Sequence, residues 1–247
     1  MKTLALIPAR MGSSRFPGKP MAELLGRPMI EHVYRRVAKN QAVTLTAVAT
    51  CDEEIAAHIR RIGGVAVMTG RQHERASDRC AEALEVLERE QRSRYDVVVM
   101  IQGDEPMTHP EMISEALEPM RRDPAVQVVN LLGTIGSKEE FEDRNCIKVV
   151  CDLQRNALYF SREPIPTCAY GSDIPMGKQV CVIPFRRDFL LQYTRLQATP
   201  LEIAESIDML RVLEHGLRVR MAPTRYSTHS VDTPADLARV ASLISEL

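Results

Sequence analysis

The chain has 247 residues, 32 basic and 33 acidic side chains, and a formal net charge of −1. That length buries a substantial core, as one large α/β domain or a domain with a sizeable insertion, and the charge balance excludes bulk electrostatic binding of nucleic acid, so any anion site is local. Residues 1–7 hold one lysine and an apolar run broken by Pro8, too short for a signal segment or a membrane span, and the six cysteines (Cys51, Cys80, Cys146, Cys151, Cys168, Cys181) contain no C-x-x-C pair, so a cytoplasmic protein with reduced thiols is expected.

Apolar runs at 3–7, 45–49, 65–68 and 97–101 predict strands, and they alternate with segments of helical period at 29–39, 53–62, 77–90 and 110–120. This alternation predicts a mostly parallel central sheet flanked by helices, with ligands beyond the carboxyl ends of the strands, where residues 8–19 and 102–106 fall. After Asp123-Pro124 the pattern changes. Short strands at 126–132, 147–151, 157–160 and 179–185 predict a smaller mixed-sheet subdomain, and residues 163–178, with three prolines and two glycines, read as a loop. Thr199 and Glu202 form a capping-box pattern at the start of a helix running to 215–216, and Asp232-Thr233-Pro234 starts a last helix over 235–247.

The richest segment is Ile7-Pro8-Ala9-Arg10-Met11-Gly12-Ser13-Ser14-Arg15-Phe16-Pro17-Gly18-Lys19-Pro20. It follows the first strand and offers backbone N–H groups at Gly12, Ser13 and Gly18 with the cations Arg10, Arg15 and Lys19, which suits a polyphosphate. Its glycine spacing fits neither the G-x-G-x-x-G fingerprint nor the P-loop. A basic, proline-rich surface loop with no ligand is the plain alternative. Read by themselves, Asp104 is a turn residue and Asp232 a helix cap.

This string resembles the signature of the sugar nucleotidyltransferases, most closely the cytidylyltransferases that activate 3-deoxy-manno-octulosonate (CMP-KDO synthetases). Gln102-Gly103-Asp104-Glu105-Pro106, Ala157-Leu158-Tyr159-Phe160-Ser161-Arg162 and Val231-Asp232-Thr233-Pro234-Ala235-Asp236-Leu237 extend the resemblance over nearly the whole chain. It implies a Rossmann-like nucleotidyltransferase fold in one domain, 1–247: a nucleotide-binding part (1–123), an acceptor and dimerisation part (124–230), and a C-terminal metal turn and helix (231–247). It also implies transfer of CMP from CTP to a small anionic acceptor, with pyrophosphate released and Mg²⁺ held by Asp104 and Asp232. Arg10 and Lys19 join these two as catalytic residues. Pro8, Ala9, Gly12, Ser13, Arg15, Ser77, Arg79, Gln102 and Gly103 complete the nucleotide site. A homodimer is implied, with the mixed-sheet part as interface and no nucleic-acid or membrane partner.

Two segments depart from the family. The usual S-G-T-[ED]-R is Arg75-Ala76-Ser77-Asp78-Arg79, and the H-x-G-x-Y-x-Y-R-like strand is Gln179-Val180-Cys181-Val182-Ile183-Pro184-Phe185-Arg186. Gln102, Arg162, Gln179, Arg186 and Glu202 remain to bind the acceptor. Arg162 and Arg186 can clamp an acidic group or form structural ion pairs with Glu163 and Asp188. The first acceptor is an octulosonate-type sugar acid; the altered strand raises a small phosphonate as the alternative, with an amino-octulosonate or nonulosonate further off. None of the six histidines lies in a recognised motif, and His73 is the nearest to a general base. A binding protein without catalysis would lack phosphate cations or metal carboxylates, and Arg10, Lys19, Asp104 and Asp232 are all present.

Overall fold

The computed structural model describes residues 1–12, 15–167 and 176–245. Its first half contains β1 (Thr3–Ala9), a single 3-10 turn (Lys19–Met21), β2 (Glu23–Leu24), β3 (Arg27–Pro28), α1 (Met29–Val37), β4 (Leu45–Thr50), α2 (Glu53–Arg61), β5 (Val65–Met68), α3 (Ala76–Gln91), β6 (Val97–Ile101) and α4 (Pro110–Arg122). Every strand and helix expected there is present to within two residues at each end. The second half contains β7 (Val129–Thr134), α5 (Lys138–Glu142), β8 (Lys148–Cys151), β9 (Ala157–Ser161), β10 (Gly177–Val180), β11 (Val182–Arg186), α6 (Arg187–Tyr193), α7 (Pro200–Glu205), α8 (Asp208–Glu214), β12 (Arg220–Pro223) and α9 (Pro234–Ser245).

The first sheet has the order β11-β6-β1-β4-β5, with β11 antiparallel to β6 and the others parallel. Leu4, Ala5, Leu6 and Ile7 of β1 are fully buried, which a strand covered on both faces requires. Successive residues point to opposite faces. Leu4 and Leu6 join a core with Cys80, Ala83 and Leu84 of α3, while Ala5 and Ile7 join one with Ile30 and Val33 of α1 and Met112 of α4. The second sheet, β12-β7-β10-β8-β9, is mixed: β12 runs parallel to β7 and the other pairings are antiparallel.

Two expectations need correction. The single strand over 179–185 is two strands in different sheets: β10 pairs with β7 and β8, and β11 pairs with β6. The chain passes between sheets at Cys181, whose carbonyl accepts the Gln102 N–H at 3.2 Å. The single helix over 199–216 is broken into α7 and α8 at Ser206, which has φ +53°. There the Arg162 guanidinium takes the carbonyl oxygens of Glu205 (2.6 Å) and Ser206 (3.4 Å), a long-range demand that local helical period does not reveal. The β2–β3 hairpin, α5, α6 and β12 are additions. Five cysteines are free thiols; Cys168 lies outside the described residues, as does half of the loop expected over 163–178.

Candidate active site

The carboxyl ends of β1 and β6 build the site. Beyond β1 the chain turns back on itself: Gly18, at φ +73°, donates its N–H to Met11 O (3.1 Å), and Met11 N–H donates to Asp52 Oδ2 (2.8 Å). A positive φ at Gly18 suits glycine alone among common residues without strain. Pro8 is half-buried, Ala9 is buried, and Arg10 is exposed with no ion-pair partner among the described residues. Ser13 lies outside the described residues. Beyond β6, a Cβ at Gly103 would lie 3.0 Å from Pro8 O, so the absence of a side chain lets this loop close on the end of β1.

Lys19 joins the ends of the chain. Its Nζ donates to Asp104 Oδ2 (2.7 Å), Val231 O (2.8 Å) and Asp232 Oδ1 (3.3 Å). Arg15 adds a contact to Asp232 Oδ1 at 2.9 Å and a hydrogen bond to Asn145 Oδ1 at 2.8 Å. Asp232 is not the cap of α9. Thr233 and Asp236 do that work, since Asp236 Oδ2 accepts from Thr233 N–H (2.8 Å) and Asp236 N–H donates to Thr233 Oγ1 (3.2 Å). The Asp232 carboxylate is therefore left for the two cations.

Asp104 Oδ1 is buried and has no hydrogen-bond partner among the described residues. A buried carboxylate oxygen left without a donor is costly, and a hard divalent cation relieves it. Asp104 and Asp232 thus fit Mg²⁺, which takes one or two carboxylates together with substrate phosphates and water. No cluster of three or more His, Cys, Asp or Glu suited to a metal occurs among the described residues.

Behind Asp104, Glu105 is 5% exposed and accepts from Thr228 Oγ1 at 2.6 Å. Burial, and the nearby charge of Asp104, push its carboxyl up to about 7. His229 is held below its usual range by burial and by the charges of Arg239 and Lys178. Both line a cleft of about 780 Å³ between the sheets, together with Arg15, Gln102, Asp104, Arg162, Lys178, Gln179, Cys181, Asp208 and Asp232. Lys178 is paired with Glu140. Asp208 pairs with Arg75 at 2.5 Å, and burial raises its carboxyl even so. Lys178, Asp208 and His229 were not singled out from the sequence, because nothing local distinguishes them. Glu105 lay within the quoted Gln102–Pro106 run.

Of the candidates that do not line this cleft, Pro8, Ala9, Arg10, Gly12, Lys19 and Gly103 belong to the β1 and β6 segments described above, and four others lie elsewhere in the scaffold. Arg186 lies at the opposite end of the first sheet, where its guanidinium donates to Met120 O (2.7 Å) in the last turn of α4 and to Val126 O (3.2 Å) beyond it. Its partners are carbonyl oxygens, a favourable place for a cation near a helix C-terminus, and not Asp188. Glu202 is fully buried and forms a bidentate pair with Arg211, both bonds 2.7 Å. Arg79, 2% exposed, donates to Thr69 Oγ1 (2.6 Å), Gly70 O (3.3 Å) and His73 O (3.2 Å), so it pins the loop after β5. Ser77 is fully buried in α3. His73, the candidate base, is bonded to Glu82 and does not line the cleft either. Arg162 lines it, held by carbonyl oxygens, and is not paired with Glu163, whose partner is Arg144 (2.8 Å).

A mostly parallel sheet covered on both faces, with a cationic loop after β1 and the carboxylates of Asp104, after β6, and Asp232, before α9, gathered on Lys19, is the arrangement of a nucleotidyltransferase fold. The chain superposes with a TM-score of 0.64 on a 4-diphosphocytidyl-2C-methyl-D-erythritol synthase from Anaerococcus prevotii, at 14% identity over 99% of this chain and 96% of that one. A cytidylyltransferase family model matches residues 4–220. The 3-deoxy-manno-octulosonate cytidylyltransferase of Geobacter metallireducens is 41% identical over 99% of this chain and 98% of its own. The enzyme of the same name from Fusobacterium nucleatum is 38% identical over 100% and 98%. A CMP:2-keto-3-deoxy-manno-octonic acid synthetase solved with CTP gives a TM-score of 0.90 at 37% identity, over 100% of this chain and 99% of that one. The chain belongs to the cytidylyltransferase family, in the group of the CMP-KDO synthetases.

Proposed function

We propose that this protein transfers CMP from CTP to 3-deoxy-manno-octulosonate with release of pyrophosphate, and that the reaction depends on Mg²⁺. The observation that carries the reading is the convergence of Asp104, with its unpartnered buried oxygen, and Asp232 on Lys19. The whole-length relatives supply the acceptor. Arg10 is free to meet a triphosphate, and Arg15 and Lys19 bring charge to where the departing pyrophosphate accumulates it. Asp104 and Asp232 would hold Mg²⁺, which would supply neutralisation of phosphate charge and ease loss of the proton from the acceptor hydroxyl. In this reading the backbone N–H groups of Gly12 and Gly103 serve the nucleotide, and Arg162, Gln102 and Gln179, which line the cleft, serve the acceptor.

The cleft's donors and acceptors suit a polyhydroxylated acid better than a small phosphonate, because removal of Arg186 from the site leaves Arg162 as the one arginine of the expected clamp. Pyrophosphate release from CTP and Mg²⁺ tests the reading. Release with 3-deoxy-manno-octulosonate and none with small phosphonates is expected; release with a phosphonate alone would overturn it.

A homodimer through the second sheet belongs to the same reading. β9 is an edge strand, and Leu153, Leu158, Leu201 and Ile203, exposed by 98, 61, 40 and 65%, all fall in this half. A cytoplasmic location goes with the use of CTP. No helix among the described residues is long and apolar enough to cross a membrane.

A further inference from the structure

We infer that Gln179 presents an unpaired side-chain carbonyl oxygen to the acceptor, so that the acceptor must bring a hydrogen-bond donor, a hydroxyl or an ammonium, to this point of the cleft. The inference rests on the proposed reaction and specifies one feature of its substrate.

The polarity of Gln179 is set from behind by Asn130. Asn130 is fully buried in β7, and its Nδ2 donates to Leu131 O at 2.8 Å and to Val180 O at 2.9 Å. Both partners are main-chain carbonyls, which only accept, so the amide nitrogen must lie on their side and both of its protons are used. The Oδ1 atom is then fixed on the other side, where it accepts from Gln179 Nε2 at 2.7 Å. Turning the Gln179 amide over would place two carbonyl oxygens 2.7 Å apart. The ladder between β7 and β10 thus fixes one Nε2 proton of Gln179 on Asn130 and leaves Oε1 as the unbonded acceptor.

The free end is Oε1, which has no partner among the described residues, and Gln179 lines the cleft. The cation next to it, Lys178, is held by Glu140. A carbonyl oxygen accepts from a hydroxyl or an ammonium and repels a carboxylate or phosphonate oxygen. An acceptor with no donor at this point leaves the oxygen desolvated and unpaired, which discriminates against it. Gln179 is therefore a specificity-determining residue, and Asn130 positions it.

The test uses the whole chain. In ¹⁵N-labelled protein, with the Gln179 side-chain signal assigned by its loss in Gln179→Met, one Nε2 proton is expected to exchange with water about tenfold more slowly than those of exposed glutamines. Exchange at the same rate overturns the inference whatever the acceptor is. In steady-state kinetics with CTP, the acceptors are 3-deoxy-manno-octulosonate, its singly deoxygenated analogues and the corresponding amino analogues. Gln179→Met is expected to raise the acceptor KM about tenfold, to leave kcat and the KM for CTP unmoved, and to lose its penalty on one deoxygenated analogue alone. Gln179→Lys, which puts a donor against a donor, is expected to raise that KM further. At the analogue so identified, preference for the amine assigns an ammonium and preference for the parent sugar assigns a hydroxyl. An unchanged KM, or an equal loss on every analogue, overturns the inference. Failure of the wild-type protein to use any of these sugar acids defeats the proposed reaction instead, and the exchange measurement still decides the orientation of Gln179.

Discussion

The backbone N–H of Val231 donates to the carbonyl oxygen of Asp104 at 2.9 Å, which joins the segment before α9 to the loop after β6. Two stretches remote in sequence are thereby fixed side by side, and the carboxylates of Asp104 and Asp232 come to share Lys19. The proposed metal site rests on both this main-chain placement and the Lys19 ammonium, which holds the two negative charges together.

Lys19→Met should therefore act on both chemistry and cohesion. We expect kcat to fall about 10²–10³-fold, as for loss of one preorganised charge at a developing anion. The metal-free protein should melt lower, with Mg²⁺ recovering part of the difference. Pyrophosphate release and thermal melting with and without Mg²⁺ check this.

Asp104→Asn and Asp232→Asn separate metal binding from nucleotide binding. Wild-type protein should melt higher with CTP and Mg²⁺ together than with CTP alone, by the mass-action stabilisation of the bound form. In either variant the extra increment from Mg²⁺ should disappear while that from CTP persists. Retention of the full Mg²⁺ increment in both would remove these carboxylates from the metal site.

Glu105 imposes a pH dependence on stability. Its carboxyl titrates near 4.5 when unfolded and at about 7 when folded, chiefly because it is buried, so the folded state binds more protons between those values. The contribution is fully present below pH 4.5 and is lost as pH rises through about 7. The loss approaches about 3 kcal/mol at alkaline pH, an order-of-magnitude figure. Glu105→Gln should flatten this part of the profile and be relatively more stable at pH 8 than at pH 5. Urea unfolding of both proteins in EDTA at the two pH values measures it, and parallel profiles would contradict it.

Glu202 is a structural anion. Glu202→Gln leaves Arg211 without its bidentate partner in a buried setting, and the cost should be about 3–5 kcal/mol. Folded Glu202→Gln protein should keep its acceptor KM. An acceptor KM raised without loss of stability would return Glu202 to the binding site.

Leu158→Lys probes the edge of the second sheet. It should reduce the dimer fraction in sedimentation equilibrium without lowering the melting temperature of the monomer, since Leu158 is 61% exposed on the single chain.

What was legible in the sequence was what local chemistry specifies. β5 and β6 have the expected limits because apolar β-branched runs between turn residues admit little else. The loop from Pro8 to Lys19 announced its cations and glycine, and half of the capping box forms: Thr199 N–H donates to Glu202 Oε2 at 3.3 Å, while the N–H of Glu202 goes to Glu214 Oε2 at 3.2 Å. The break at Ser206 was hidden because the Arg162 guanidinium bonded to the carbonyl oxygens there comes from just beyond β9, remote in sequence. Arg186 and Glu202 look, in sequence, like any other candidate charges. Only their partners, the carbonyls at the C-terminal end of α4 and the guanidinium of Arg211, reveal that they hold the scaffold. Asp208 was missed for the converse reason, being a first-turn helix residue whose exposure to the cleft is set by packing.

The passage of one segment from the second sheet into the first at Cys181 bears on recombination between relatives. β11 lies in the later part of the chain yet pairs with β6 along Val97–Ile101, and Phe185 reaches back to bridge Val128. A chimera joined between residues 123 and 124 would not exchange one sheet for another. It would set a foreign edge strand against the native β6, so viable crossovers should keep β6 and β11 from the same parent.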